Sequence, residues 1–482
     1  MLAALQHLHQ QAEERPDHPA LVTVDEAITF AQLHRMVAAV TRRLRDLGIA
    51  PRQLIATDLP PALDWIVTLA LLRLATRSVS AAGAEVPPAL AVDALLARPG
   101  AATRPAHRVV TIDRLWIDQV VDEALDADEP DNRVVLYPRA DAVCRVILTS
   151  GTTGTPRGAE LSVAAVEHRL AHLAQYWTDD RIELNLMPLS TTGGFHTALA
   201  CLQHGTPYVV AERTDERTAR LAADQQVQVL AGSPVQIGRL LQAVREHRIP
   251  LPALEEVRMA GAAPTPALLA AIADTFGVAV RSVYGSTEGG GVTTRQLRAG
   301  DDPADVGIPL ASIRLEVVDE RDAPLPPGET GAIRYRGAGL ASGYGTPDAE
   351  RSFRGGWFYP GDHGHLTPGG SLVLSGRESD LVNLGGVKVD PSAIDAEVDG
   401  FAGVIDAAAF VLERTPGVPE LGLAVVAAPG ADLRALDQHL RQRLPLRHPT
   451  VFGAVAAIPR NRMGKVERAR LTAEFRRRLN LD

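Results

Sequence analysis

RVILTSGTTGTPRG, residues 145–158, sets a short apolar, β-rich run directly before a loop of glycines and hydroxyls. Beyond it, SVAAVEHRLAHLAQYW (162–177) spaces its apolar residues as a helix does. The same alternation continues outward. IELNLM (182–187), PYVVA (207–211), QVQVLA (226–231) and EVRMA (256–260) read as buried strands, while 233–247 and 264–276 read as helices. Strands alternating with helices imply a parallel sheet covered on both faces. Ligands of such sheets sit beyond the carboxyl ends of the strands. The loops 150–158, 261–264 and 284–291 each follow an expected strand, so they are expected to share one rim.

After Gly300 the texture changes to short strands and Gly/Pro turns: IRLEVVD (313–319), APLPPGETG (323–331) and AIRYRG (332–337). This reads as a small β subdomain. A hairpin signal at 367–371 is followed by a boundary near 376–380, then by about a hundred residues of mixed α/β pattern. The fold class expected is α/β: a large N-terminal domain (1–376) of helix-flanked sheets with a β subdomain, and a small α+β C-terminal domain (380–482). Residues 90–135 show no clear organisation.

The 482 residues carry a net charge of −9, which argues against a nucleic-acid partner. Cys144 and Cys201 have no metal-site or disulfide spacing and read as small buried hydrophobes. The N-terminus lacks the basic start and long apolar core of a secretory signal, and the most apolar helix, 65–75, is too short to span a membrane. The expectation is a cytoplasmic protein without a membrane partner.

Four segments carry candidate chemistry. In 148–158, Gly151, Gly154 and Gly158 let the backbone approach a ligand, Thr149, Ser150, Thr152, Thr153 and Thr155 supply hydroxyls, and Arg157 a cation. That makes an anion nest, but not with P-loop spacing. In VYGSTEGGG (283–291), Tyr284 could stack on a base and Thr287 and Glu288 could hold Mg²⁺ through oxygen. In YPGDHG and GRESD, Asp362 and Arg377 could grip a ribose diol as acceptor and donor. Lys465 follows a glycine in PRNRMGKVERARL (459–471). Taken singly, each segment also fits a solvated loop or turn.

As an ordered set, spanning about Leu21 to Leu471, they resemble the adenylate-forming enzymes: acyl-CoA synthetases, free-standing adenylation domains of peptide synthetases, and luciferase-like ligases. The resemblance implies roles. Thr149, Ser150, Gly151, Thr152, Thr153, Gly154 and Arg157 match the phosphate loop. Gly261, Ala262, Ala263 and Pro264 match the strip lining the adenine, with Tyr284 packed on the base and Gly285 beside it. Thr287 and Glu288 lie near the α-phosphate and metal, Asp362 and Arg377 at the ribose. Lys465 matches the lysine bridging carboxylate and phosphate oxygens. Asp380 matches the hinge (377–380) about which the C-terminal domain rotates, and Gly385 and Gly386 the opening for a pantetheine arm.

Gly193, Gly194, Phe195 and His196, with Gly285, are expected at the acyl pocket, the small residues leaving room for a ring or chain. A packed helix histidine is the alternative for His196. No Asp or Glu occurs in 188–200, which disfavours an α-amino acid substrate. Arg157, Pro360 and Asn383 stand where the family often has Lys, Thr and Lys.

The implied activity is ATP- and Mg²⁺-dependent conversion of a carboxylic acid to acyl-AMP, then transfer to a thiol, CoA first. The alternatives are loading of a carrier protein through its phosphopantetheine, or an amine acceptor. A non-catalytic nucleotide- or acyl-binding protein would not need Lys465, Glu288, Asp362 and Arg377 together. The partners expected are a small-molecule acid and, on the alternative reading, an acyl carrier protein; a homodimer is a further option.

Overall fold

The computed structural model describes all residues except 1–2, 82–85, 102–105, 127–133, 150–156, 174–180, 213, 345–351, 378–381, 385–386, 390, 416–417, 445–447, 461–465 and 482. Strand β1 (Val143–Thr149) is an inner strand of a sheet with seven strands among the described residues. On one side lie Arg77–Ser80, Leu54–Asp58, Ala94–Ala97 and Arg108–Thr111, all parallel. The last two strands and the helix Arg114–Asp126 organise much of the stretch that has no clear sequence pattern.

On the other side the structure corrects the expected strand–loop–helix unit. Arg157–Ser162 forms β2, antiparallel to β1 with Thr149 opposite Arg157, so the glycine loop joins two strands of a hairpin. Gly158 permits the packing there: a Cβ would come 2.8 Å from side-chain atoms of both Leu90 and Val146. Helix α1 (Val163–Leu173) starts only after β2.

The expected parallel sheet is present without β1, which belongs to the other sheet, so the loop after β1 and the loops at 261–264 and 284–291 do not lie on one sheet as expected. Strands β3 (Glu183–Asn185), β4 (Val229–Gly232), β5 (Glu256–Ala260) and β6 (Ala279–Ser286) are successive parallel neighbours. The intervening helices begin where side chains satisfy free backbone N–H groups. Ser233 and Gln236 form a capping box before Pro234–His247, and Thr265 caps Pro266–Phe276. Helix α2 (Thr192–His204) starts at Thr191, whose hydroxyl accepts from the Gly194 N–H at 3.1 Å, and stops at Gly205 with φ 68°.

After β6 the direction reverses. A turn at 287–289 leads into antiparallel β7 (Gly290–Leu297), and the sheet continues through Asp305–Pro309 to the hairpin of β8 (Asp362–Leu366) and β9 (Leu372–Arg377). The β-rich region after Gly300 is thus an extension of the parallel sheet, fifteen strands in all among the described residues.

Residues beyond 389 build cores of their own. The hairpin Val404–Thr415/Val418–Ala427 buries Leu421 and Leu423 with Ile394, Leu436 and Leu440. On its other face Phe410 meets Phe475 at 4.5 Å between ring centroids. No helix among the described residues is long and apolar enough to cross a membrane.

Candidate active site

The β8–β9 hairpin places Asp362 directly opposite Arg377. Arg377 Nε donates to Asp362 Oδ1 at 2.5 Å, and the Tyr284 hydroxyl donates to Oδ2 at 2.7 Å. Asp362 is buried, whereas Arg377 is partly exposed. Burial, with Asp362 adding to it, raises the Tyr284 phenol well above its ordinary range, so it remains a donor. Arg377, expected at the ribose, and Tyr284, expected at the adenine, therefore share the Asp362 carboxylate.

At the end of β6, Gly285 cannot bear a side chain: a Cβ would lie 2.0 Å from the Gly290 carbonyl oxygen across the hairpin. The Ser286 hydroxyl then accepts from the backbone N–H groups of Glu288 (3.1 Å) and Gly289 (3.0 Å) and from Tyr335 (2.9 Å). This fixes the turn and buries Glu288, whose Oε1 accepts from Tyr344 at 2.5 Å. Tyr284 and Gly285 lie on the strand itself, so the expected loop at 284–291 narrows to 287–289.

Helix α1 supplies a residue that the sequence motifs missed. Arg169 is buried and donates to four acceptors: the carbonyls of Glu288 (2.6 Å), Gly339 (2.7 Å) and Thr287 (3.1 Å), and the Thr192 hydroxyl (2.9 Å). Burial lowers its guanidinium to about 10, which keeps it charged at neutral pH. The available signal was its place three residues after Val166, within the buried stripe of α1. Tyr335 and Tyr344 were also missed.

On α2 the acyl-side expectation needs correcting. Gly194 leaves no open room, because a Cβ would lie 2.3 Å from the Pro188 carbonyl oxygen. At Gly193 the space is taken by Met187, whose Cε would be 2.6 Å from a Cβ. Phe195 is fully buried, with the Arg145 guanidinium 4.7 Å from its ring centroid. His196 is buried, with Nδ1 2.7 Å from the Thr192 carbonyl oxygen.

Gly261, Ala262 and Ala263 follow β5 as an exposed strip, with Gly261 at φ 91°, ahead of buried Pro264. Thr149 and Arg157 close the β1–β2 hairpin, and Arg157 lies 5.5 Å from the Tyr344 ring centroid. Ser150, Gly151, Thr152, Thr153, Gly154, Asp380, Gly385, Gly386 and Lys465 fall outside the described residues.

A family model described as "AMP-binding enzyme" matches residues 8–345. The chain belongs to that family. This family match agrees with the resemblance read from the motifs, and the AMP-binding enzyme has the expected α/β fold.

Among curated relatives, the salicylyl-CoA synthase/salicylate adenylyltransferase of a Streptomyces species is 29% identical, over 96% of this chain and 92% of that protein. The AMB antimetabolite synthetase AmbB of Pseudomonas aeruginosa is also 29% identical, over 97% of this chain but 38% of its own length. Of solved structures, o-succinylbenzoate CoA synthetase (MenE) of Bacillus subtilis, in complex with its acyl-adenylate intermediate, superposes with a TM-score of 0.82. That match covers 96% of this AMP-binding enzyme and 97% of that chain at 22% identity, and bears on the fold.

Proposed function

We propose that this enzyme activates a small-molecule carboxylic acid as its acyl-adenylate and then transfers the acyl group to the thiol of coenzyme A. The observation carrying this reading is the pairing of Tyr284–Asp362–Arg377 with the buried Glu288 turn at the end of the same strand. Asp362 suits a ribose diol, because a carboxylate accepts and has lone pairs beyond those engaged by Tyr284 and Arg377.

Glu288 supplies the hard oxygen ligand that Mg²⁺ takes. Among the described residues no cluster of three or more His, Cys, Asp or Glu side chains accompanies it. That suits an ion held by one or two carboxylates, with substrate phosphates and water completing its shell. Bound there, Mg²⁺ would offset phosphate charge.

In the first step a carboxylate oxygen bonds to the α-phosphorus of ATP while the bond to the β-phosphate oxygen breaks, releasing pyrophosphate. Two anions must approach, and Lys465 is the cation proposed to lie between them. In the second step the thiolate attacks the acyl carbon and AMP leaves with the oxygen that came from the acid. We assign residues 1–376 to the nucleotide and acyl sites and 380–482 to a mobile domain turning about 377–380 at Asp380, with Gly385 and Gly386 giving passage to the pantetheine arm. The separate cores beyond residue 389 support that division.

Loading of a carrier protein is the second reading, in keeping with the resemblance to adenylation domains of peptide synthetases. Pyrophosphate release measured across a library of carboxylic acids, with and without CoA, tests both. Acid-dependent release with an acyl-CoA product supports the first. Release without acyl-CoA shifts the assignment to a carrier or amine acceptor, and no release with any acid overturns it.

A further inference from the structure

His196 carries an acceptor that nothing among the described residues uses. Its Nδ1 lies 2.7 Å from the carbonyl oxygen of Thr192, one turn back on α2. A carbonyl oxygen only accepts, so Nδ1 holds the ring proton. The Thr192 hydroxyl is 3.3 Å from the same nitrogen and is also engaged by Arg169 Nη1. With the proton on Nδ1, Nε2 of the neutral ring is a bare lone pair. That atom is buried and has no hydrogen-bond partner among the described residues.

The ring is held neutral. Burial, then the Arg169 and Arg145 guanidiniums, push the imidazole down to about 3 against the opposing pull of the Thr192 carbonyl. A substrate carboxylate is a poor partner for Nε2, because both are acceptors. What fits a buried lone pair is an O–H or N–H group.

Arg169 ties the first turn of α2 to the Thr287–Glu288 turn. Its Nη1 contacts both the Thr192 hydroxyl and the Thr287 carbonyl, so His196 is tied to the Thr287–Glu288 turn through Thr192 and Arg169. The nearby glycine, Gly193, faces the side chain of Met187, a flexible thioether that can give way to a ligand.

We infer that the acid activated by this enzyme bears a hydroxyl or N–H donor, received by Nε2 of His196. The inference rests on the acyl-adenylating reading above and narrows its substrate class. Discrimination of this kind is steep, because a site built to hydrogen-bond a substrate donor rejects the analogue lacking it.

The test compares kcat/KM for pyrophosphate release with matched acids, both aromatic and aliphatic: a hydroxy- or amino-substituted acid, its O-methyl or N,N-dimethyl form, and the unsubstituted parent. The wild-type enzyme is expected to favour the donor-bearing acid by about 100-fold or more. His196→Leu should bring that ratio near one, and His196→Gln, which keeps an acceptor, should restore part of it. Ratios are taken within one protein, so a general loss of activity does not disguise the result. A wild-type ratio near one overturns the inference and leaves the nitrogen to a bound water; so does an unchanged ratio in His196→Leu. Should His196→Leu not fold, the wild-type ratio decides. If no acid releases pyrophosphate, the adenylating reading itself fails. Calorimetric binding of the same acids beside a non-hydrolysable ATP analogue then decides for His196 alone: equal affinity within a matched set overturns its role.

Discussion

Arg169 Nη2 donates to the Glu288 carbonyl oxygen at 2.6 Å, while Nη1 of the same guanidinium reaches the Thr287 carbonyl and the Thr192 hydroxyl. One buried cation therefore fixes both the turn carrying the expected metal ligand and the first turn of the acyl-side helix. A lysine ammonium is a point charge on a flexible stem and cannot reproduce this fork. Arg169→Lys is expected to lower kcat for acid-dependent ATP–pyrophosphate exchange by about 10²-fold with secondary structure retained by circular dichroism. Exchange at the wild-type rate would contradict this positioning role.

The Glu288 carboxylate and Tyr344 test the other side of that turn. A hydrogen bond to a charged acceptor contributes about 1.5–3 kcal/mol, so Tyr344→Phe is expected to weaken exchange and raise the Mg²⁺ concentration for half-maximal rate. Glu288→Gln should do so more strongly, by about 10²–10³ in rate. A Mg²⁺ titration curve identical to wild type in both variants would remove Glu288 from the metal site.

How far the sequence reveals this site depends on the range of the contacts. Asp362 and Arg377 are legible because the intervening turn at 367–371 folds them opposite each other in one hairpin. The strand-to-turn character of 283–291 is legible for the same local reason. Arg169 and Tyr344 are not, since their partners lie 119 and 56 residues away and are set by sheet packing. Strand β2 also escapes notice, because GAELS is short and its strand character comes from pairing with β1. The reading of Gly194 as pocket space fails because the sequence cannot show that carbonyl oxygens already occupy it.

Acid sensitivity follows from a buried histidine that is no part of the candidate site. Burial, with Arg73, His9 and Arg35 nearby, lowers His34 from 6.5 to about 4. The unfolded chain then binds the proton more readily than the folded one, so the stabilisation is complete above pH 6.5 and is lost as pH falls toward 4. At about 1.36 kcal/mol per pH unit the loss is at most about 3.4 kcal/mol. Urea midpoints measured from pH 7.5 to 4.5 should fall, and His34→Leu should flatten part of that slope. A slope unchanged in His34→Leu would refute the assignment.

Lys465 and Asp380 separate the two half-reactions. Lys465→Ala is expected to abolish adenylation, a loss of about 10²-fold or more, while ATP binding by calorimetry persists. Asp380→Pro should spare pyrophosphate exchange and impair acyl-CoA formation. Undiminished adenylate formation in the first variant, or equal losses in both steps in the second, would contradict these roles.

The most direct measurement follows one oxygen atom. With a substrate acid labelled with ¹⁸O in its carboxylate, ATP and CoA, turnover through an acyl-adenylate leaves one labelled oxygen in the phosphate of AMP. Mass spectrometry of the nucleotide product is expected to show AMP carrying that single label. Label in inorganic phosphate with ADP as the nucleotide product, or unlabelled AMP beside a formed thioester, would contradict adenylation as the chemistry of this enzyme.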